Sequence, residues 1–123
     1  MAYLLLWSAI ERYLTLRYGS ELEPVKLVRQ LSTENAFAKA LHKHIDSSDG
    51  PLAEISDSRD PIDRLKKDPD KPKDAVNYFY GVRSNITHRG KAAPSRDFDI
   101  VRSATMELLA IFRDVLAAAR ADA

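Results

Sequence analysis

Along most of the chain, apolar residues recur at steps of three and four, the spacing that collects side chains on one face of an α-helix. Tyr3, Trp7, Ile10 and Leu14 predict a first helix over residues 2–18, with Gly19 placed to stop it. That helix begins almost at Met1 with no capping residue before it, as expected for a fragment of a longer protein or a misassigned start. Pro24 can open a short helix running to Leu31, with Val25, Leu27 and Val28 as its apolar positions. Ser32 or Thr33 then offers an N-cap for a helix over residues 34–45, buried through Phe37, Leu41 and Ile45. A further helix is expected from Ala75 into the Arg83 region, capped by Asp74, with Ala75, Phe79, Val82 and Ile86 on one face. Tyr80 and Arg83 share an adjacent face with Val76, and Gly90 and Pro94 end the pattern. The clearest stripe is the last: Phe98, Val101, Thr105, Leu108, Phe112, Val115 and Ala119, widened by Leu109, Ile111 and Leu116, with Ser95 as N-cap.

Between these helices the character changes. Residues 46–73 hold four of the six prolines, in SSDGP, RDP, DPD and KP, and predict a long polar connection with at most a short helical piece near Pro61 to Lys66. No alternating strand pattern competes, and no internal repeat is evident. The expectation is therefore a single all-α domain over residues 1–123, a bundle of about four main helices with one long proline-rich loop at 46–73.

Composition supports a real core, with 45% hydrophobic and 30% charged residues. With no cysteine, a disulfide framework, a thiolate nucleophile and a Cys-based zinc site are excluded, and the chain suits a reducing cytoplasm. The apolar run Tyr3 to Trp7 lacks a basic region before it and is soon interrupted by Glu11 and Arg12, so it does not read as a secretory signal. No stretch reaches the roughly 18–20 apolar residues that would cross a bilayer, and no membrane partner is expected.

The formal net charge of +1 is uninformative, but its distribution is not. Residues 46–74 carry nine acidic and six basic side chains, whereas 81–96 contain no acid and include Arg83, Arg89, Lys91 and Arg96. These cations, in a loop-like segment, could grip nucleic-acid phosphates or form an ordinary solvated basic surface.

The stretch RSNITHRGK, Arg83 to Lys91, combines a permanent cation with a group that titrates near neutrality. One can stabilise charge on a phosphate and the other can move a proton, the two functions that transesterification of RNA requires. On a regular helix, five residues turn the side chain by about 500°, leaving Arg83 and His88 roughly 140° apart. They converge only if the helix loosens between them, for which Ile86, Thr87 and Gly90 provide the means, or if a second chain completes the site. Tyr78 and Tyr80 could stack on bases, but their place in the apolar pattern favours the core or a dimer interface. His42 and His44 resemble a metal pair, yet residues two apart on a helix face different ways and no acidic cluster joins them, so no metal site is expected. No phosphate-cradling glycine loop or serine-nucleophile motif occurs, and no cofactor is implied.

Arg, four residues, His matches the motif of HEPN domains, and YFYGVRSNITHRGKA resembles in particular the Apea-like HEPN branch. The opening LLLWSAIERYL is similar to the first helix of that branch, with Trp7 and Glu11 at corresponding positions, and the long closing helix matches in layout. The resemblance implies a HEPN-like four-helix fold, a homodimer and, in many members, a metal-independent endoribonuclease whose Arg and His line a cleft between subunits. Carried over, Arg83 would stabilise the scissile phosphate and His88 would be the general acid or base, leaving 2′,3′-cyclic phosphate and 5′-hydroxyl ends. Asn85, Ser84 and Glu11 would be supporting residues. Active members often carry Asn, Asp or His directly after the motif Arg, where this chain has Ser84 with Asn85 next. The family further implies RNA as substrate, an antitoxin or larger-chain partner domain, and a defence, stress or toxin–antitoxin setting. Other HEPN domains bind nucleic acid, nucleotide or a partner protein without cleaving, and a purely structural helical dimerisation domain is a third reading.

Overall fold

The computed structural model describes residues 2–45, 54–57, 60–89 and 95–121, with the backbone alone described at 54–57, 60–64, 88–89 and 95–98. Five α-helices dominate the described chain: α1 (Ala2–Tyr18), α2 (Pro24–Arg29), α3 (Asn35–His44), α4 (Pro72–Arg89) and α5 (Ser95–Ala121). A 3-10 turn over Gln30–Thr33 joins α2 to α3. The all-α expectation holds in its coarse form, in that helices dominate the described residues. No described helix is long and apolar enough to cross a membrane.

The largest departure lies in the segment expected as a loop. Glu54–Asp57 (β1) and Asp60–Lys66 (β2) form an antiparallel pair, with Glu54 opposite Lys66 and Ile55 opposite Leu65. The register breaks between Ser56 and Asp57. The helical piece anticipated near Pro61–Lys66 is a strand instead. The hairpin rests against α4 and Leu65 packs on the core, so tertiary contact decides a stretch whose local polarity points to a loop.

Helix ends show how local chemistry and packing compete. Gly19 closes α1 with φ +94°, a conformation that disfavours a side chain, and its N–H donates to the Thr15 carbonyl at 2.8 Å. Pro24 takes the first position of α2, after Glu23 in extended geometry. The N-cap of α3 is neither Ser32 nor Thr33. Their hydroxyls donate backwards, to the Arg29 and Gln30 carbonyls at 2.7 Å each, and Glu34 occupies the cap position without a side-chain capping bond. Helix α4 starts earlier than expected, at Pro72, which places Asp74 inside the first turn, where its charge complements the helix dipole.

One core unites the helices. Tyr3, Trp7, Ile10 and Leu14 are fully buried, the face that their spacing predicts. They meet Leu27, Val28 and Leu31, then Phe37, Ala40, Leu41 and Ile45, and Ala75, Val76, Tyr78, Phe79 and Val82 of α4. From α5 come Ala104, Leu108, Ile111, Phe112 and Val115. Leu109 and Leu116, expected to widen the buried stripe, are instead on the exposed side together with Met106, and Leu5 and Leu16 of α1 are also exposed. Tyr3, fully buried in this core, donates to the Phe79 carbonyl at 2.5 Å, tying α1 to the middle of α4. Burial pushes its hydroxyl far above the usual phenol range.

Candidate functional site

Helices α1 and α4 pack so that two of the sequence-predicted residues meet. Arg83, on α4, places Nη2 3.4 Å from Glu11 Oε1 on α1, and each side chain is one-third exposed. Three residues earlier on α4, Tyr80 lies on the same flank, as i and i+3 positions do. The Arg83 Cζ stands 5.3 Å from the Tyr80 ring centroid, and Nη1 is 3.4 Å from the Tyr80 hydroxyl oxygen. Tyr80 in turn meets the fully buried Trp7 edge to face, with centroids 5.4 Å apart at 84°. The cation is thus backed by an aromatic ring that is itself seated on a core residue, and part of it faces solvent.

Tyr78 and Tyr80, two candidates for base stacking, part company here. Tyr78 is buried against Phe79, with centroids 5.4 Å apart, and burial pushes its hydroxyl up to about 12. Tyr80 is only half-buried and addresses Arg83.

Helix α4 runs without interruption from Pro72 through Arg83 and His88 to Arg89. The loosening anticipated between Arg83 and His88 is absent, and the Thr87 hydroxyl donates to the Arg83 carbonyl one turn back at 3.1 Å. Arg83 and His88 therefore leave the backbone roughly 140° apart and about 7.5 Å apart along the axis. Ser84 and Asn85 are half-buried within the same helix. The basic segment is also less loop-like than expected: Arg89 belongs to α4 and Arg96 to the first turn of α5, while Lys91 lies outside the described residues.

The two histidines of α3 address different partners. His42 lies 3.5 Å from Asp70, and His44 Nε2 is 2.9 Å from Asp114 of α5.

A second polar cluster, missed in the sequence, joins the end of α1 to the start of α3. Tyr13 and Tyr18 donate to opposite oxygens of Glu34 at 2.9 and 2.6 Å, while Arg17 Nε lies 3.6 Å from the same carboxylate. Burial, and then the Glu34 carboxylate, push the Tyr13 hydroxyl up to about 12 and raise that of Tyr18. The i, i+4 pairing of Tyr13 with Arg17 was a legible signal; the arrival of Glu34 from another helix was not. The cluster borders an open cleft of about 300 Å³ whose other wall is Val115, Ala118 and Ala119. Its charges are already paired with one another, which makes it a structural tie between helices.

Compared with known protein families, curated proteins and solved structures, the chain matches none. The HEPN resemblance accordingly rests on the sequence stretches quoted above.

Proposed function

We propose that this chain is a HEPN-type, metal-independent endoribonuclease that works as a homodimer. The observation that carries the proposal is the setting of Arg83: a permanent cation, part-exposed, held at the α1–α4 contact by Glu11 and Tyr80, with His88 further along the same unbroken helix. In this reading Arg83 hydrogen-bonds the non-bridging oxygens of the scissile phosphate and offsets the charge that develops there. A histidine base takes the proton of the 2′-hydroxyl as that oxygen attacks phosphorus. The bond to the 5′ oxygen breaks, and a histidine acid protonates the departing oxygen. The products are a 2′,3′-cyclic phosphate and a 5′-hydroxyl. Because positions 83 and 88 lie on different sides of an unbroken helix, this reading completes the site across a two-fold axis, where two copies of His88 supply base and acid. Glu11 supports Arg83, Ser84 and Asn85 lie beside it, and Arg89, Lys91 and Arg96 contact flanking phosphates. A cytoplasmic defence, stress or toxin–antitoxin role, with an antitoxin or larger-chain partner, follows from the same resemblance.

A HEPN module that binds nucleic acid, nucleotide or protein without cleaving is the second reading. The Arg83–Glu11 pair favours it to the extent that an incoming phosphate must compete with a carboxylate already in place. A structural dimerisation domain is the third, supported by the outward apolar residues Leu5, Leu16, Met106, Leu109 and Leu116.

Cleavage of a mixed-sequence RNA in EDTA, comparing the parent with His88→Ala and Arg83→Ala and identifying the end groups, tests the proposal. Cyclic-phosphate ends that disappear in the folded variants support it. A well-folded parent that leaves several RNAs intact moves the assignment to the binding module.

A further inference from the structure

We propose that Tyr80 is a positioning residue, the platform that keeps the Arg83 guanidinium oriented when a phosphate displaces Glu11; this rests on the reading of Arg83 as a phosphate-binding residue. The Glu11–Arg83 contact is loose. At 3.4 Å it is longer than the roughly 2.7–2.9 Å of a strong charge-assisted hydrogen bond, and with both side chains one-third exposed it is open to screening by salt. An entering phosphate competes for the same N–H groups and repels the carboxylate, so Glu11 does not hold Arg83 in the loaded site. Tyr80 does not compete in this way. Its ring lies 5.3 Å from the Arg83 Cζ, within the reach of a cation–π contact, and its hydroxyl lies 3.4 Å from Nη1. Those contacts leave most of the five guanidinium N–H groups available to a phosphate. The ring is itself held, edge to face, by the fully buried Trp7, so it offers a rigid support for an otherwise flexible side chain.

The test weakens the electrostatic face of the ring while leaving its shape almost unchanged. Position 80 is converted by Tyr80→Phe, then to mono-, di- and trifluorinated phenylalanines, in the full chain with Arg83 and in Arg83→Ala. Single-turnover RNA cleavage and affinity for an all-deoxy oligonucleotide, which lacks the 2′-hydroxyl nucleophile, are measured in parallel. Tyr80→Phe, which keeps the ring and loses the 3.4 Å hydroxyl contact, is the reference for the series, and from it cleavage and affinity fall stepwise by about 3- to 10-fold as the ring loses its negative face. With Arg83→Ala the affinity series is flat. A structural role alone would not produce a graded loss among rings of nearly equal size. A flat series in the presence of a functional Arg83 overturns the role of Tyr80 and leaves the nuclease reading standing. A graded, Arg83-dependent fall in affinity without any cleavage supports Tyr80 and overturns the nuclease. Binding and cleavage both indifferent to Arg83→Ala overturn the two together.

Discussion

Removing Glu34 should cost the fold measurably although the residue lies outside the apolar core. Its side chain is only 9% exposed and receives Tyr13 at 2.9 Å and Tyr18 at 2.6 Å, with Arg17 at 3.6 Å. Hydrogen bonds to a charged acceptor are worth about 1.5–3 kcal/mol each, but both phenols are only partly buried and regain water when the carboxylate is lost. The long contact to the exposed Arg17 adds little. Glu34 makes no side-chain bond to its own helix, so a change there does not remove a cap. Together these give about 2–3 kcal/mol for Glu34→Ala. At roughly 4 °C per kcal/mol for a chain of this size, Tm should drop by about 8–12 °C. Glu34→Gln, which keeps one acceptor oxygen, should lose about half as much. Thermal melts followed by circular dichroism, with Tyr18→Phe and the double variant completing a cycle, isolate the Tyr18–Glu34 coupling at about 1 kcal/mol. A Tm within about 3 °C of the parent for Glu34→Ala, or a Tyr18→Phe cost that is the same with and without Glu34, would refute the reasoning.

Alkaline pH should unfold the protein. Tyr13 and Tyr78 are pushed up to about 12 and Tyr3 and Tyr18 are also raised, so the folded state favours the neutral phenol. Their stabilisation is complete below the ordinary phenol value near 10 and is lost as pH climbs toward 12. Melts across that range, read beside phenolate absorbance, check it; Tyr3, Tyr13, Tyr18 and Tyr78 titrating together near pH 10 in an intact fold would contradict it. On α5, Leu108→Asp puts an unpaired carboxylate at a site 1% exposed and should abolish folding. Leu116→Asp, at 37% exposed, should cost no more than about 1 kcal/mol by denaturant titration, and equal damage from the two would mean that the helix is rotated in its seat.

Most helices were legible because their buried stripes are strict. Tyr3, Trp7, Ile10 and Leu14 point one way at any plausible packing, and Gly19 and Pro24 bracket the turn that follows. The caps were less legible, since Ser32 and Thr33 have local carbonyls to bond and did so. The hairpin was not legible at all: Glu54–Asp57 and Asp60–Lys66 carry too little alternation to announce strands, and only the surface of α4 makes their pairing worthwhile. In the candidate site, Arg83 could be picked out by its company in RSNITHRGK, and Glu11 by resemblance.

Sequence alone determined a cysteine-free helical chain, the inward face of α1 and the concentration of positive charge around Arg83, because periodicity and composition are local properties. Tertiary structure decided which side of α5 carries Leu109 and Leu116, that Glu34 collects two phenols from α1, and that Tyr80 rests edge to face on Trp7. It also decided that α4 stays wound through His88. Each of these depends on how helices are rotated and docked against one another. A shift of one position turns a side chain by about 100°, and local spacing cannot resolve that rotation once several faces of a helix carry apolar or aromatic residues.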